Sequence, residues 1–297
     1  MNETSWEDAG PSPDVITYWR KHLPVQNFGD YLSELILREL WQPAPVIDTA
    51  TRRFGRLHLI GSVISPWHIL DDLASIESTG GQPVIGFWGC GMRRNEIIED
   101  HLKRSCVFMG VRGPLTRQNL SLPADTPLGD PGLLMPLIYR TKTAPAYANR
   151  TVCMPHFLDT RSNDELLEQT KADLILTPSI VPTRHAVLET IDAIASCAFI
   201  LTGSLHGAIV AAAYKVPFAF LGPDNVDAPF KWADLAALLR IPNAAVGTVH
   251  AGRHLHSSTI RRSIQMPSLH RLLKCAPVAP SQELLERAQI IDEENCS

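Results

Sequence analysis

The chain has 297 residues, 45% of them hydrophobic and 20% charged, with a formal net charge of -4 and a sequence pI near 6.3. These are ordinary values for a folded protein and exclude a disordered chain; the absence of a basic excess excludes a nucleic-acid module. The cysteines, at 90, 106, 153, 197, 275 and 296, form no C-x-x-C pair, which fits reduced thiols in a cytoplasmic protein rather than a disulfide framework or a metal cluster. Met1 to Ser12 is polar and acidic, unlike a signal peptide, and no apolar run approaches the roughly 20 residues that span a bilayer. Any membrane association is therefore expected to be peripheral, at the inner face of the cytoplasmic membrane.

Short apolar runs alternate with longer helical patterns, the signature of parallel βαβ units. In the first half Val15–Tyr18, Leu57–Ile60, Pro83–Trp88 and Cys106–Gly110 read as strands. Tyr31–Leu40, Pro66–Ser75, Gly113–Asn119 and Gly132–Tyr139 read as helices, with Asp30 at the start of the first. Thr141–Arg150 lacks a hydrophobic period and reads as a hinge. Beyond it, strands are predicted at Val152–Met154, Leu174–Leu176, Ala198–Leu201 and Pro217–Leu221. Helices are predicted at Asn163–Thr170, Arg184–Ser196, Leu205–Tyr214, Pro229–Arg240 and Gln282–Glu294. The expectation is an α/β protein of two Rossmann-like domains in series, residues 1–148 and 149–297, with the ligand in the interdomain cleft. The final helix could pack back on the first domain.

The most informative segment runs from Phe199 to Tyr214, where a buried strand ends in Thr202-Gly203-Ser204 and an alanine-rich helix begins. Its N-terminus offers backbone N–H groups at Ser204 and Leu205 to an anion, and His206 in the first turn can exchange protons near neutral pH. Ser204 can equally be a simple helix cap. Asn27-Phe28-Gly29-Asp30 forms a βα turn whose polar side chains can meet ligand hydroxyls. Arg112 follows a strand directly, where its guanidinium could clamp a carboxylate or phosphate. Asp130, in Leu128-Gly129-Asp130-Pro131, could cap a helix or face the cleft. His156 ends the first strand of the second half, and Lys231-Trp232 could supply a cation and a flat surface for a sugar. There is no P-loop, no G-x-G-x-x-G after a strand, no G-x-S-x-G elbow and no H-E-x-x-H pair.

In their order, Asn27-Phe28-Gly29-Asp30, Trp88-Gly89-Cys90-Gly91, Val111-Arg112-Gly113-Pro114-Leu115-Thr116, Leu128-Gly129-Asp130-Pro131 and Ser204-Leu205-His206-Gly207 resemble the motifs of polysaccharide pyruvyltransferases. The similarity covers roughly residues 15–235 and is greatest to the branch that modifies exopolysaccharide repeat units, such as the succinoglycan ketolases. It implies a GT-B-like pair of Rossmann-like domains, phosphoenolpyruvate as co-substrate, no metal or other cofactor, and a sugar acceptor carried on a lipid-linked oligosaccharide. His206 and Arg112 become the expected catalytic residues. Arg112, Gly203, Ser204, Leu205 and Lys231 become the donor contacts, and Asn27, Asp30, His156 and Trp232 the acceptor contacts. The family's S-R-L-H-G element reads Gly203-Ser204-Leu205-His206-Gly207 here, so Ser204 stands where an arginine is expected. A GT-B glycosyltransferase using a nucleotide sugar, or a non-catalytic sugar- or phosphate-binding protein of polysaccharide assembly, would fit the same sequence architecture.

Overall fold

The computed structural model describes residues 15–18, 21, 23–40, 52–222 and 228–296; the segment Met1 to Ser12 lies outside them. In chain order the first half comprises β1 (Ile16–Thr17), β2 (Gln26–Asn27), α1 (Phe28–Leu40), β3 (Arg56–His58), α2 (Pro66–Thr79), β4 (Ile85–Cys90), α3 (Asp100–Lys103), β5 (Cys106–Val111), α4 (Pro114–Asn119), a 3-10 turn (Pro131–Leu134) and α5 (Met135–Ile138). The second half continues with β6 (Thr151–Met154), α6 (Asn163–Thr170), β7 (Leu174–Ile175), β8 (Ser179–Ile180), α7 (Arg184–Ser196), β9 (Phe199–Thr202), α8 (Leu205–Ala213), β10 (Phe218–Leu221), α9 (Pro229–Leu239) and β11 (Ala245–Val246). It ends with α10 (Val249–Leu255), a π-helical turn (His256–Ile260), α11 (Arg261–Ser263), α12 (Leu269–Lys274) and α13 (Gln282–Cys296).

These elements build two parallel sheets, one ordered β1-β3-β4-β5 and one ordered β11-β10-β9-β6-β7. Counted within the second half, the latter order is 2-1-3-4-5, and the direction in which successive strands are added reverses between β6 and β9. A crevice opens at the carboxyl ends of strands where the order reverses in this way, and ligands of open α/β sheets bind there. Here those ends carry Pro155-His156 after β6 and Gly203-Ser204 after β9.

Most elements follow the sequence pattern because the central strands of both sheets are apolar on both faces; β4, β9 and β10 are buried at every position. The differences have local causes. Helix α1 begins at Phe28 rather than Tyr31, so Asp30 lies within its first turn instead of ahead of it. The helix expected over Gly132–Tyr139 divides into the 3-10 turn and α5, because Pro131 starts the first and Pro136 has no N–H to continue a ladder. The two-residue strands β2, β8 and β11 are too short to leave a period in the sequence.

A small antiparallel ladder joins the halves. Asn27 of β2 pairs with Ser179 of β8, and the Phe28 N–H donates to the Pro178 carbonyl at 2.7 Å. That pairing swings α1, which belongs to the first half in sequence, onto α7 and α8 of the second. One apolar core consequently runs through both halves, from Ile16 and Trp88 to Ile209 and Leu273. The Trp88 indole N–H donates to the Leu272 carbonyl at 3.0 Å, and α13 packs on α12 and α5.

A second joint lies around Asp234 of α9, which has no exposed surface. Its Oδ1 accepts from the Leu115 and Thr116 N–H groups at 2.9 and 3.1 Å, capping α4, and its Oδ2 accepts from the Thr116 hydroxyl at 2.6 Å. Arg112 Nε lies 3.7 Å from the same Oδ2. Removing one member of such a buried set strands the others without water, so Asp234→Ala should cost about 3–5 kcal/mol in urea unfolding. A loss under about 1 kcal/mol, the worth of an ordinary hydrogen bond, would mean that this joint is not needed.

Candidate active site

A cleft of about 480 Å3 opens where the carboxyl ends of the two sheets meet. The first sheet contributes Ser62 and Ser65 after β3 and Arg93, Arg94 and Glu96 after β4; the second contributes His156 after β6 and Ser204 to His206 after β9. Asn27 and Asp30 reach it through the β2–β8 ladder, and Lys231 comes from α9. Of the residues expected at the site, the structure thus gathers Asn27, Asp30, His156, Ser204, Leu205, His206 and Lys231 around one cavity.

His206 is held from two sides. A Cβ on Gly29 would collide with its imidazole, so only glycine at that position of α1 lets the ring lie where it does. Asp130, with no exposed surface, accepts from the Gly132 N–H through Oδ1 at 2.9 Å and turns Oδ2 toward His206 Nε2 at 3.5 Å. Of the two roles open to Asp130 in the sequence, the structure shows the helix cap; the carboxylate faces His206 rather than the cleft. Asp130 Oδ2 and His206 Nε2 are both buried without a hydrogen-bond partner.

Asp30 has a different environment. Burial pushes its carboxyl above the usual aspartate range, against the opposing pull of His206, the 2.9 Å hydrogen bond from Asn27 Nδ2, Lys231 and His156. The cleft also holds His68, which burial and then the nearby His58 keep below the ordinary histidine value, so that its ring is neutral at pH 7. Three full cations, Arg93, Arg94 and Lys231, outnumber the carboxylates Asp30 and Glu96 on the walls.

Three expected contacts, Arg112, Trp232 and Gly203, are not on the cleft wall, and Ser204 is there with its polar groups engaged. Arg112 has no exposed surface and is not on the cleft wall. Its Nη1 donates to the Ser62 hydroxyl at 2.8 Å and its Nη2 to the Met92 carbonyl at 3.1 Å, bracing the loops after β3 and β4 from behind. Gly91 is required there, because a Cβ would meet the guanidinium. Trp232 is also interior, 3% exposed with its ring 4.8 Å from Phe220, so it offers no surface to a sugar. Gly203 forms floor rather than wall: its N–H donates to the Met154 carbonyl at 2.8 Å. The Ser204 N–H is taken by Thr202 Oγ1 at 3.0 Å and its hydroxyl caps Gly207 N–H at 3.3 Å, which leaves one fewer backbone donor for an anion than the helix start suggested.

The sequence reading missed Arg93, Arg94, Trp67 and His68. The signal for the arginines was present: they follow Trp88-Gly89-Cys90-Gly91-Met92 directly, on a βα turn of the same rim as Arg112. Among the described residues no three of His, Cys, Asp and Glu converge as metal ligands would, and no helix is long and apolar enough to cross a membrane.

If burial raises the Asp30 pKa in the folded state, the native protein binds more protons than the unfolded chain between the ordinary aspartate value and the raised one. Stability then falls as pH rises through that window, and the cost is absent below it. Asp30→Asn should therefore melt higher than the parent at pH 8 and show no such advantage near pH 3.5, in thermal melts at the two pH values. An advantage of equal size at both would show that ionisation of Asp30 is not the cause.

Searches of curated proteins and of solved structures gave no significant match. The family model for polysaccharide pyruvyl transferase matches residues 27–225 of the 297, a span that runs from the second residue of β2 through β10 and holds every cleft residue named above except Lys231. The chain belongs to the polysaccharide pyruvyl transferase family.

Proposed function

We propose that the protein transfers the pyruvyl group of phosphoenolpyruvate onto two hydroxyls of one sugar in an exopolysaccharide precursor, forming a ketal. The observation that carries this reading is the gathering of Arg93, Arg94 and Lys231 around His206 at the switch point of the second sheet. A three-carbon molecule bearing a carboxylate and a phosphate is small enough for this cleft and carries the sign of charge that its three cations attract. The two sheets then act as the halves of a GT-B-like pair, with the donor between them. By family likeness the acceptor rides on a lipid-linked oligosaccharide that the protein meets from the cytoplasm.

The reaction needs a proton delivered to C3 of the enol, which turns C2 into an electrophile of oxocarbenium character. One sugar hydroxyl adds to C2 and gives up its proton; the second then adds as the C2–O bond to phosphate breaks. One hydroxyl proton replaces the one delivered to C3, and the other leaves with phosphate. In this reading His206 delivers the proton. Asp130 faces Nε2, so Nδ1, the nitrogen on the Gly29 side, is the one that exchanges with the cleft. Asp30, whose environment favours the protonated carboxyl, is strongly basic once ionised and takes the proton from the attacking hydroxyl. The two groups lie in one cleft with Asn27 orienting Asp30. Arg93, Arg94 and Lys231 hold the phosphate and carboxylate, the work that Arg112 and an arginine at position 204 were expected to do.

Incubation with phosphoenolpyruvate and a panel of β-linked glucosyl and galactosyl acceptors should release inorganic phosphate and give a product heavier by one pyruvyl ketal in mass spectrometry. His206→Gln should lower turnover roughly a hundredfold or more while phosphoenolpyruvate still raises the melting temperature. Stabilisation by nucleoside diphosphates but not by phosphoenolpyruvate, with no phosphate release, would point to a glycosyltransferase instead.

A further inference from the structure

Trp67 stands in the first turn of α2, next to Pro66 and after the cap Ser65, and is 67% exposed while lining the cleft. A single exposed apolar side chain is ordinary, and Ile97 is 87% exposed; what sets Trp67 apart is that it shares one cavity with the charged residues. Its place is fixed rather than floppy. The ring stands edge-on to His68 with centroids 4.7 Å apart, and His68 Nδ1 is 2.7 Å from the Ser65 hydroxyl that caps the helix. From the other half, Phe157 and the 53% exposed Leu158 line the same cleft. The cavity therefore grades from a buried end, with His206, Lys231 and Asp30, to an aromatic and apolar mouth.

A small dianionic donor can use the charged end but has nothing to place against an indole face. A pyranose does: with most hydroxyls equatorial, one face presents axial C–H groups, whose positive edges suit the negative face of the ring. We infer that Trp67 is the platform on which the acceptor pyranose lies, with its hydroxyl edge directed inward to Asp30 and His206. This rests on the pyruvyl-transfer reading above and adds to it the subsite that selects the sugar. The concave setting favours a sugar over a flat partner surface, since Trp67 shares one cavity with the charged residues.

The test uses lipid-free acceptors, methyl β-glucoside and methyl β-galactoside, so that a role for Trp67 at a membrane surface would not register. With saturating phosphoenolpyruvate, Trp67→Ala should raise the acceptor KM roughly five- to tenfold, leave kcat and the donor KM nearly unchanged, and be largely rescued in Trp67→Phe. Saturation-transfer NMR of the same glycosides reads binding without turnover and should lose its signal in Trp67→Ala. If the wild-type protein binds the glycosides through Trp67 yet forms no ketal, the reaction assignment fails and the platform stands. If acceptor KM and NMR binding are the same in Trp67→Ala as in the parent, or if the donor KM shifts instead, the platform is overturned. Loss of vesicle binding alone, with acceptor KM unmoved, would likewise overturn it in favour of a membrane contact.

Discussion

The arrangement depends on where one imidazole is allowed to sit. His206 opens a helix that is buried along nearly its whole length, wedged between a sheet and α1, and its ring has room only because Gly29 has no side chain. Asp130 comes from the far end of the first half and closes the other side. Three segments far apart in the chain must meet within a few ångströms, and the β2–β8 ladder brings the first of them across. The short polar strand that leaves almost no trace in the sequence is thus what makes the site composite. Without it, Asn27 and Asp30 would have no reason to face the second sheet.

The cleft pays attention to charge in a way that the net charge of the chain conceals. Arg93 and Arg94 lie on a loop and the nearly buried Lys231 at a helix start, while Asp30 is kept among them in surroundings that favour its neutral form. Shifted carboxyls are common where proton transfer is the task, and Asp30, raised by burial against the pull of His206 and Lys231, is one. A carboxyl held against its preference is a cost to folding, and such costs are commonly carried where function requires them.

Much of this was legible before any coordinates. The alternation of apolar runs pointed to parallel βαβ sheets, and strand ends (His206, Asp30, Asn27, His156) and a helix start (Lys231) named residues that the structure brings to one cleft. What strand ends do not give is the direction of a side chain. Arg112 follows β5 as expected, but its guanidinium turns inward to Ser62, Met92 and Asp234, because the loops after three neighbouring strands need a common donor to hold them together. Trp232 likewise turns inward, to Phe220. The reversal point of the second sheet was not readable either, since it is set by which side of β6 the later strand β9 joins. Trp67 was hidden for the opposite reason: a tryptophan at the start of an amphipathic helix looks like core until its exposure is known.

The central claim, that a small carboxylate- and phosphate-bearing donor is held beside His206 by Arg93, Arg94 and Lys231, is tested most directly by a crystal structure with phosphoenolpyruvate bound. The account predicts the phosphate and carboxylate within hydrogen-bond reach of at least two of those three side chains and the methylene carbon facing the imidazole. Phosphoenolpyruvate bound elsewhere, or a cleft that stays closed to it at saturating concentration, would contradict the account.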